Sequence, residues 1–246
     1  MTAHQPLNLG HRGASSLAPE NTLAAFRLAQ AIGANGIEFD VQLSQDGVPV
    51  IMHDDRLERT SDGRGRVEET PWSMLRRLDA GRWFDARFAG ERIPTLQDVI
   101  DEFGASLLLN IELKASTRGA ELVETVVARI QNKLRAQDVI VSSFDWELLA
   151  HVKALAPTLR IGVLYRYDVS ANLYEALQPE AIHPERSLVT PTMVAEAHRR
   201  KQAVNTWTVD REEDMLRMSG LGVDAIITNY PQRLEDVMHR LESADL

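Results

Sequence analysis

Strand-like and helix-like stretches take turns along this chain eight times, and that alternation leaves few folds open. The strand-like runs are short and largely apolar, as parallel strands covered on both faces must be. They are Leu7 to Gly10, Ile37 to Leu43, Ser106 to Leu113, Val139 to Ser143, Arg160 to Tyr165, Ala181 to His183, Gln202 to Trp207 and Ala225 to Thr228. Helix signals lie between them. Asn21 or Thr22 can cap a helix over Leu23 to Ile32, closed by Gly33, and Thr95 opens another that runs to Phe103. Within Gly119 to Leu134, the residues Leu122, Val123, Val126, Val127, Ile130 and Leu134 fall on one helical stripe. Further helices are predicted over Asp145 to Ala156, Ala171 to Leu177, Arg211 to Met218 and Pro231 to Leu241. Thr190-Pro191 begins one more, with proline in the first turn.

Eight strand–helix units in 246 residues match an α/β protein of the (β/α)8 TIM-barrel class, which takes about 250 residues. A single domain over residues 1–246 is expected. A doubly wound open sheet would need a glycine-rich phosphate fingerprint after the first strand, and Gly10-His11-Arg12-Gly13-Ala14-Ser15 does not match one. After the second strand, Gln45-Asp46-Gly47 signals a turn and Val48 to Met52 a short returning strand. The polar, glycine-bearing piece from Arg56 to Pro94 breaks the alternation and reads as a small insertion after strand 2.

In such a barrel the active site lies at the carboxyl ends of the strands, and the residues there are charged. The first strand ends in His11-Arg12. The second carries Glu38 and Asp40, two apart and therefore on one face. The third ends in Glu112-Leu113-Lys114, again with alternate polar residues, and the returning strand ends in His53-Asp54. Charged groups facing a packed interior need partners. Three carboxylates without any cysteine suit a hard divalent cation, Mg²⁺ or Ca²⁺, or Mn²⁺, so Glu38, Asp40 and Glu112 are the expected metal ligands. A structural network with Arg12 and Lys114 is the plainer alternative.

His11 and His53 can supply a general acid and a general base, although the sequence does not say which is which. Arg12 offers a planar fork of donors to a phosphate, and Lys114 adds positive charge to the same place. Trp207, flanked by Thr206 and Thr208 at a strand end, fits either the core or a platform for substrate. His183 fits either a place near the site or a loop cap. His4, His151, His198 and His239 fall at the terminus or on helices and read as surface residues.

A formal net charge of −9 argues against a general nucleic-acid or anionic-membrane surface. No apolar run approaches the roughly 18–20 residues that cross a bilayer, so stable membrane insertion is not expected. The first residues lack the basic and apolar regions of a signal peptide, and cysteine is absent, a pattern that suits the cytoplasm. Nothing in the sequence specifies an oligomeric state.

With these residues in view, the chain resembles the glycerophosphodiester phosphodiesterase family. The matching words are His11-Arg12-Gly13, Pro19-Glu20-Asn21-Thr22, Glu38-Phe39-Asp40-Val41, Asp46-Gly47-Val48-Pro49-Val50, His53-Asp54, Arg59-Thr60, Asn110-Ile111-Glu112-Leu113-Lys114, Thr206-Trp207-Thr208-Val209 and Asp224 to Pro231. They span nearly the whole chain in order. The resemblance implies a barrel with an insertion after strand 2. It also implies metal ligands at Glu38, Asp40 and Glu112, an acid–base pair at His11 and His53, and phosphate contact by Arg12 and Lys114. The implied reaction is metal-dependent hydrolysis of a small glycerophosphodiester to an alcohol and glycerol 3-phosphate. Two rival readings are hydrolysis of lysophospholipids in a lysophospholipase D manner and a non-catalytic metal- or phosphate-binding barrel. The first would want an apolar rim on the insertion, from Trp72, Trp83 and Phe84; the second would want a broken histidine pair, and both histidines are present.

Overall fold

The computed structural model describes residues 5–167 and 171–244. Eight parallel strands form a closed barrel: β1 (Leu7–His11), β2 (Gly36–Leu43), β4 (Leu108–Leu113), β5 (Val139–Ser143), β6 (Arg160–Tyr165), β7 (Ala181–Pro184), β8 (Ala203–Thr206) and β9 (Ala225–Thr228). Closure comes from β1, which pairs with β2 on one edge and with β9 on the other. A short β3 (Pro49–Ile51) returns antiparallel on β2 and lies outside the barrel order. Every residue of β2 is buried, because one face meets the barrel interior and the other the helices.

The helices follow their local signals. In α1 (Leu23–Ile32) the cap is Thr22, whose side chain accepts from the amide of Ala25, and Gly33 ends the helix in the left-handed region at φ 97°. Asn21 has a different task, described below. Between β3 and β4 come a single turn, α2 (Trp72–Leu75), and α3 (Leu96–Phe103), which starts with a full capping box of Thr95 and Asp98. The remaining helices are α4 (Gly119–Lys133), α5 (Trp146–Leu155), α6 (Ala171–Leu177), α7 (Pro191–Arg199), α8 (Glu212–Leu221) and α9 (Pro231–Ala244).

Three boundaries move by two residues or more from their expected places. Ser106 and Leu107 do not belong to the strand that follows them. Their amides donate to the carbonyl of Phe103 and finish α3, so β4 starts at Leu108. The helix expected to stop at Met218 continues to Leu221, where Gly222 at φ 77° closes it. The last helix runs past Leu241 to Ala244.

The main core packs the outer faces of the strands against the helices. In it Phe26 of α1 meets Phe39 of β2 at 5.6 Å and Phe103 of α3 at 6.0 Å between ring centres. Val50 of β3 and the segment between β3 and α3 share a small separate core, in which Val50 packs with Met52, Leu57, Val67, Leu75, Ala80 and Ile93. Trp72 packs against that core, whereas Trp83 is 40% exposed and donates its indole N–H to the carbonyl of Ala80. His4 lies outside the described residues. His198 and His239 are exposed, paired with Asp224 at 2.8 Å and Glu235 at 3.5 Å, and His151 is half-buried.

Candidate active site

Parallel register sets the acidic cluster. Glu38 in β2 lies beside His11 in β1 and Asn110 in β4, and Asp40 lies beside Glu112. Oxygens of Glu38, Asp40 and Glu112 all fall within 4.8 Å of one another. Asp40 is 1% and Glu38 4% exposed. Buried carboxylates at that spacing repel one another strongly unless a cation joins them.

The protein answers this repulsion unevenly. Burial alone would raise the pKa of Asp40, but Arg12, Lys114, His53 and the amide of Asn21 together hold it down to about 2. The contacts are Arg12 Nε at 3.3 Å, Lys114 Nζ at 3.3 Å and Asn21 Nδ2 at 2.9 Å. Lys114 Nζ also sits 2.8 Å from Glu112. Glu38 receives far less. Burial, then Asp40 and Glu112, push its carboxyl well above the usual range, and its Oε1 is buried without a hydrogen-bond partner among the described residues. Burial and Asp40 raise Glu112 as well. Asn110 Oδ1 is a second buried acceptor left unpaired.

Around the cluster, the carboxylates of Glu20, Glu38, Asp40, Asp54 and Glu112 outnumber the permanent cations Arg12, Arg59 and Lys114 by two charges. An oxygen-only donor set, an orphaned carboxylate oxygen and a deficit of two positive charges fit a hard divalent cation.

The turn after β1 delivers Arg12 to this place. Arg12 has φ 57° and its amide donates to Glu38, both to the carbonyl at 2.8 Å and to Oε2 at 3.2 Å. Gly13 follows at φ 85°, where a Cβ would stand 2.7 Å from the carbonyl carbon of Ala25. Only glycine fits there. The Arg12 guanidinium reaches Glu20 at 2.8 Å, and Arg59 from the insertion clamps Glu20 and Asp54 together.

Each histidine is oriented by a different partner. His11 Nδ1 lies 2.7 Å from Asn229 Oδ1. Asn229 Nδ2 donates to Asp210 at 2.8 Å, which turns the amide oxygen toward His11 and places the imidazole proton on Nδ1. Burial, then Arg12, lowers His11 to about 4. His53 Nδ1 instead meets the Asp54 carboxylate at 2.6 Å. Its pKa is lowered too, by burial and by the Arg12 and Lys114 charges. Gln42 of β2 fixes the His53 segment. Its amide nitrogen serves the carbonyls of Met52, His53 and Asp54 at 2.9, 3.2 and 2.7 Å.

These groups surround a cleft of about 110 Å³ lined by His11, Arg12, Glu38, His53, Glu112 and Lys114, with Phe144, Arg166 and Trp207 on the far wall. Trp207 is therefore a wall residue, half-buried and held by an indole N–H bond of 2.7 Å to the carbonyl of His183. His183 itself neither caps a loop nor lines the cleft. It is buried in β7, with its Nε2 3.0 Å from Asn205 Nδ2, and burial lowers its pKa to about 3. Its ring rests on Gly162 of β6, where a Cβ would come within 2.4 Å of it.

The site draws on partners to which the residue types alone gave no part in it: Asn21, read as a candidate helix cap, and Gln42, Asp54, Arg59, Asp210 and Asn229. Several stand in the family-like words quoted above, and that was the only signal available, because Asn229 meets His11 across 218 positions of chain.

Fold and site together define a TIM barrel with an acidic, cation-ready cleft and two histidines at the carboxyl ends of its strands. Sequence comparison narrows this class. The glycerophosphoryl diester phosphodiesterase family profile matches residues 11–233. A glycerophosphodiester phosphodiesterase of Caldanaerobacter subterraneus is 41% identical, over 95% of this chain and 98% of its own length. One from Bacillus subtilis is 31% identical over 96% and 86%. Among solved structures, an Oleispira antarctica phosphodiesterase in complex with the product sn-glycerol-3-phosphate superposes with a TM-score of 0.88 at 35% identity, covering 96% of this chain and 97% of that one. The chain belongs to the glycerophosphodiester phosphodiesterase family and is an enzyme of it.

Proposed function

We propose that this enzyme hydrolyses small glycerophosphodiesters to an alcohol and glycerol 3-phosphate, with Glu38, Asp40 and Glu112 holding one Mg²⁺, Ca²⁺ or Mn²⁺ and with His11 and His53 moving the protons. The observation that carries the reading is the unpaired, buried Glu38 oxygen in a three-carboxylate cluster between two differently partnered histidines. The product-bound Oleispira relative supports the substrate class.

A divalent cation bound there supplies Lewis-acid stabilisation of charge on a phosphate oxygen. Arg12 and Lys114 add positive charge to the same wall and stabilise the phosphoryl group as its charge grows. His11 keeps its Nδ1 proton on the neutral Asn229 amide, so Nε2 presents a lone pair and accepts a proton from the water that attacks phosphorus and becomes an oxygen of glycerol 3-phosphate. His53 has an anion behind it, which stabilises the imidazolium, and it donates its Nε2 proton to the departing alcohol oxygen. The new oxygen–phosphorus bond forms as the phosphorus–alcohol bond breaks. Asp54 and Asn229 thus act as positioning residues.

The test is release of glycerol 3-phosphate from glycerophosphoglycerol and glycerophosphoethanolamine. Release should stop with EDTA and return with Mg²⁺, Ca²⁺ or Mn²⁺. Release that EDTA leaves untouched overturns the metal role, and no release from folded protein with any cation overturns the activity.

A further inference from the structure

The far wall of the cleft carries a charge that the chemistry above does not use. Arg12 and Lys114 are tied to carboxylates. Arg166, just past the end of β6, has no carboxylate partner among the described residues. Its guanidinium carbon stands 5.3 Å from the ring centre of Phe144 and 5.0 Å from that of Trp207. The two rings meet edge to face at 5.3 Å and 88°. Trp207 is held in turn by its bond to the carbonyl of His183.

Two consequences follow from this arrangement. First, aromatic faces that would attract a quaternary ammonium or an ammonium already carry a cation. A choline or ethanolamine arm reaching this wall meets like charge. Second, a guanidinium without a carboxylate partner among the described residues, in a partly enclosed cleft, offers paired donors to a carboxylate or a second phosphate. Phe144 is 41% exposed and Arg166 is exposed as well, so the wall lies at the mouth, away from the buried carboxylates. A diester whose phosphate sat on the buried carboxylates would have its alcohol arm free to extend toward this exposed wall.

We infer that Phe144, Arg166 and Trp207 form a subsite for the departing alcohol and that Arg166 selects diesters whose alcohol carries negative charge. The inference rests on the phosphodiesterase reading above and adds the class of alcohol to it.

The experiment compares three substrates: the glycerophosphodiesters of glycolate, of ethanolamine and of glycerol, which are anionic, cationic and neutral at the alcohol arm. The readout is the ratio of kcat/KM values within each enzyme, so partial loss of folded protein cancels. The wild type should favour glycolate over ethanolamine by about fivefold or more, the size of a part-exposed charge contact on each side. Arg166→Gln should bring the ratio near one, mainly through KM, Arg166→Lys should keep a preference for glycolate, and Arg166→Glu should reverse it. A wild type that prefers ethanolamine overturns the inference. So does an Arg166→Gln enzyme with lower rates on all three substrates and an unchanged ratio, because that result puts Arg166 on the phosphoryl group. Failure of the wild type on the neutral glycerol diester overturns the phosphodiesterase reading and this inference together.

Discussion

Asp54→Asn would leave an acceptor behind the His53 ring and take away its charge, whereas His53→Ala removes the proposed proton donor itself. A tenfold to hundredfold loss of kcat is expected for Asp54→Asn, below the roughly 10²–10⁴-fold loss for His53→Ala. The alkaline limb of the pH profile should move to lower pH in Asp54→Asn, because an imidazolium without its anion gives up its proton more readily. An unchanged limb would remove Asp54 from its positioning role. At this scale the sequence was legible where several charges gathered at neighbouring strand ends, and not at Arg166, a lone charge just past β6. Glu38 and Asp40 could be placed by the alternation of a strand. Lys114 meets both carboxylates that could be named for it, Glu112 and Asp40. The choice between Asn21 and Thr22 as helix cap was not legible, since both residues cap well. It was settled by Asp40, which takes the Asn21 amide and leaves the cap to Thr22.

At the scale of elements, the turn after β1 is the most constrained joint in the chain. Gly13→Ala must place a side chain against the Ala25 backbone at a positive φ. It should destabilise the protein by about 1–3 kcal/mol and, by shifting Arg12, also reduce turnover. Urea unfolding and an activity assay on the same sample check both parts, and a neutral result on stability would contradict the local geometry. The strands were readable because parallel strands buried on both faces appear as unbroken apolar runs. The start of β4 was not, because Ser106 and Leu107 continue the pattern of the strand while bonding to the preceding helix. No periodicity reveals the meeting of Phe144, Arg166 and Trp207 either. They follow the ends of β5, β6 and β8, and only the lateral pairing of these strands through β7 and the curl of the sheet bring them together.

For the whole molecule, the cation-free acidic cluster is a source of instability. Glu38 and Glu112 have folded pKa values raised by burial and mutual repulsion. Their contribution is therefore fully present below the ordinary carboxylate range and is lost as pH rises through the raised values. A divalent cation needs the ionised forms, so its effect runs the other way. Melting curves across pH, with EDTA and with Ca²⁺ or Mg²⁺, should diverge as pH rises. The gain should approach about 2.7 kcal/mol at a cation concentration a hundred times its dissociation constant, and Glu38→Gln should lose it. Curves that coincide at every pH would refute cation binding at this cluster.

Gln42 has a further meaning for anyone who would rebuild this enzyme. One amide on a barrel strand gathers the carbonyls of Met52, His53 and Asp54, while the stretch beyond them folds over a small core that it shares with Val50 and Met52. The barrel thus works as a chassis with a standard socket. A foreign segment grafted in place of residues 56–94 would inherit a seated His53, provided that it kept the three carbonyls within reach of that amide, covered Val50 and Met52, and supplied a cation where Arg59 now stands between Asp54 and Glu20.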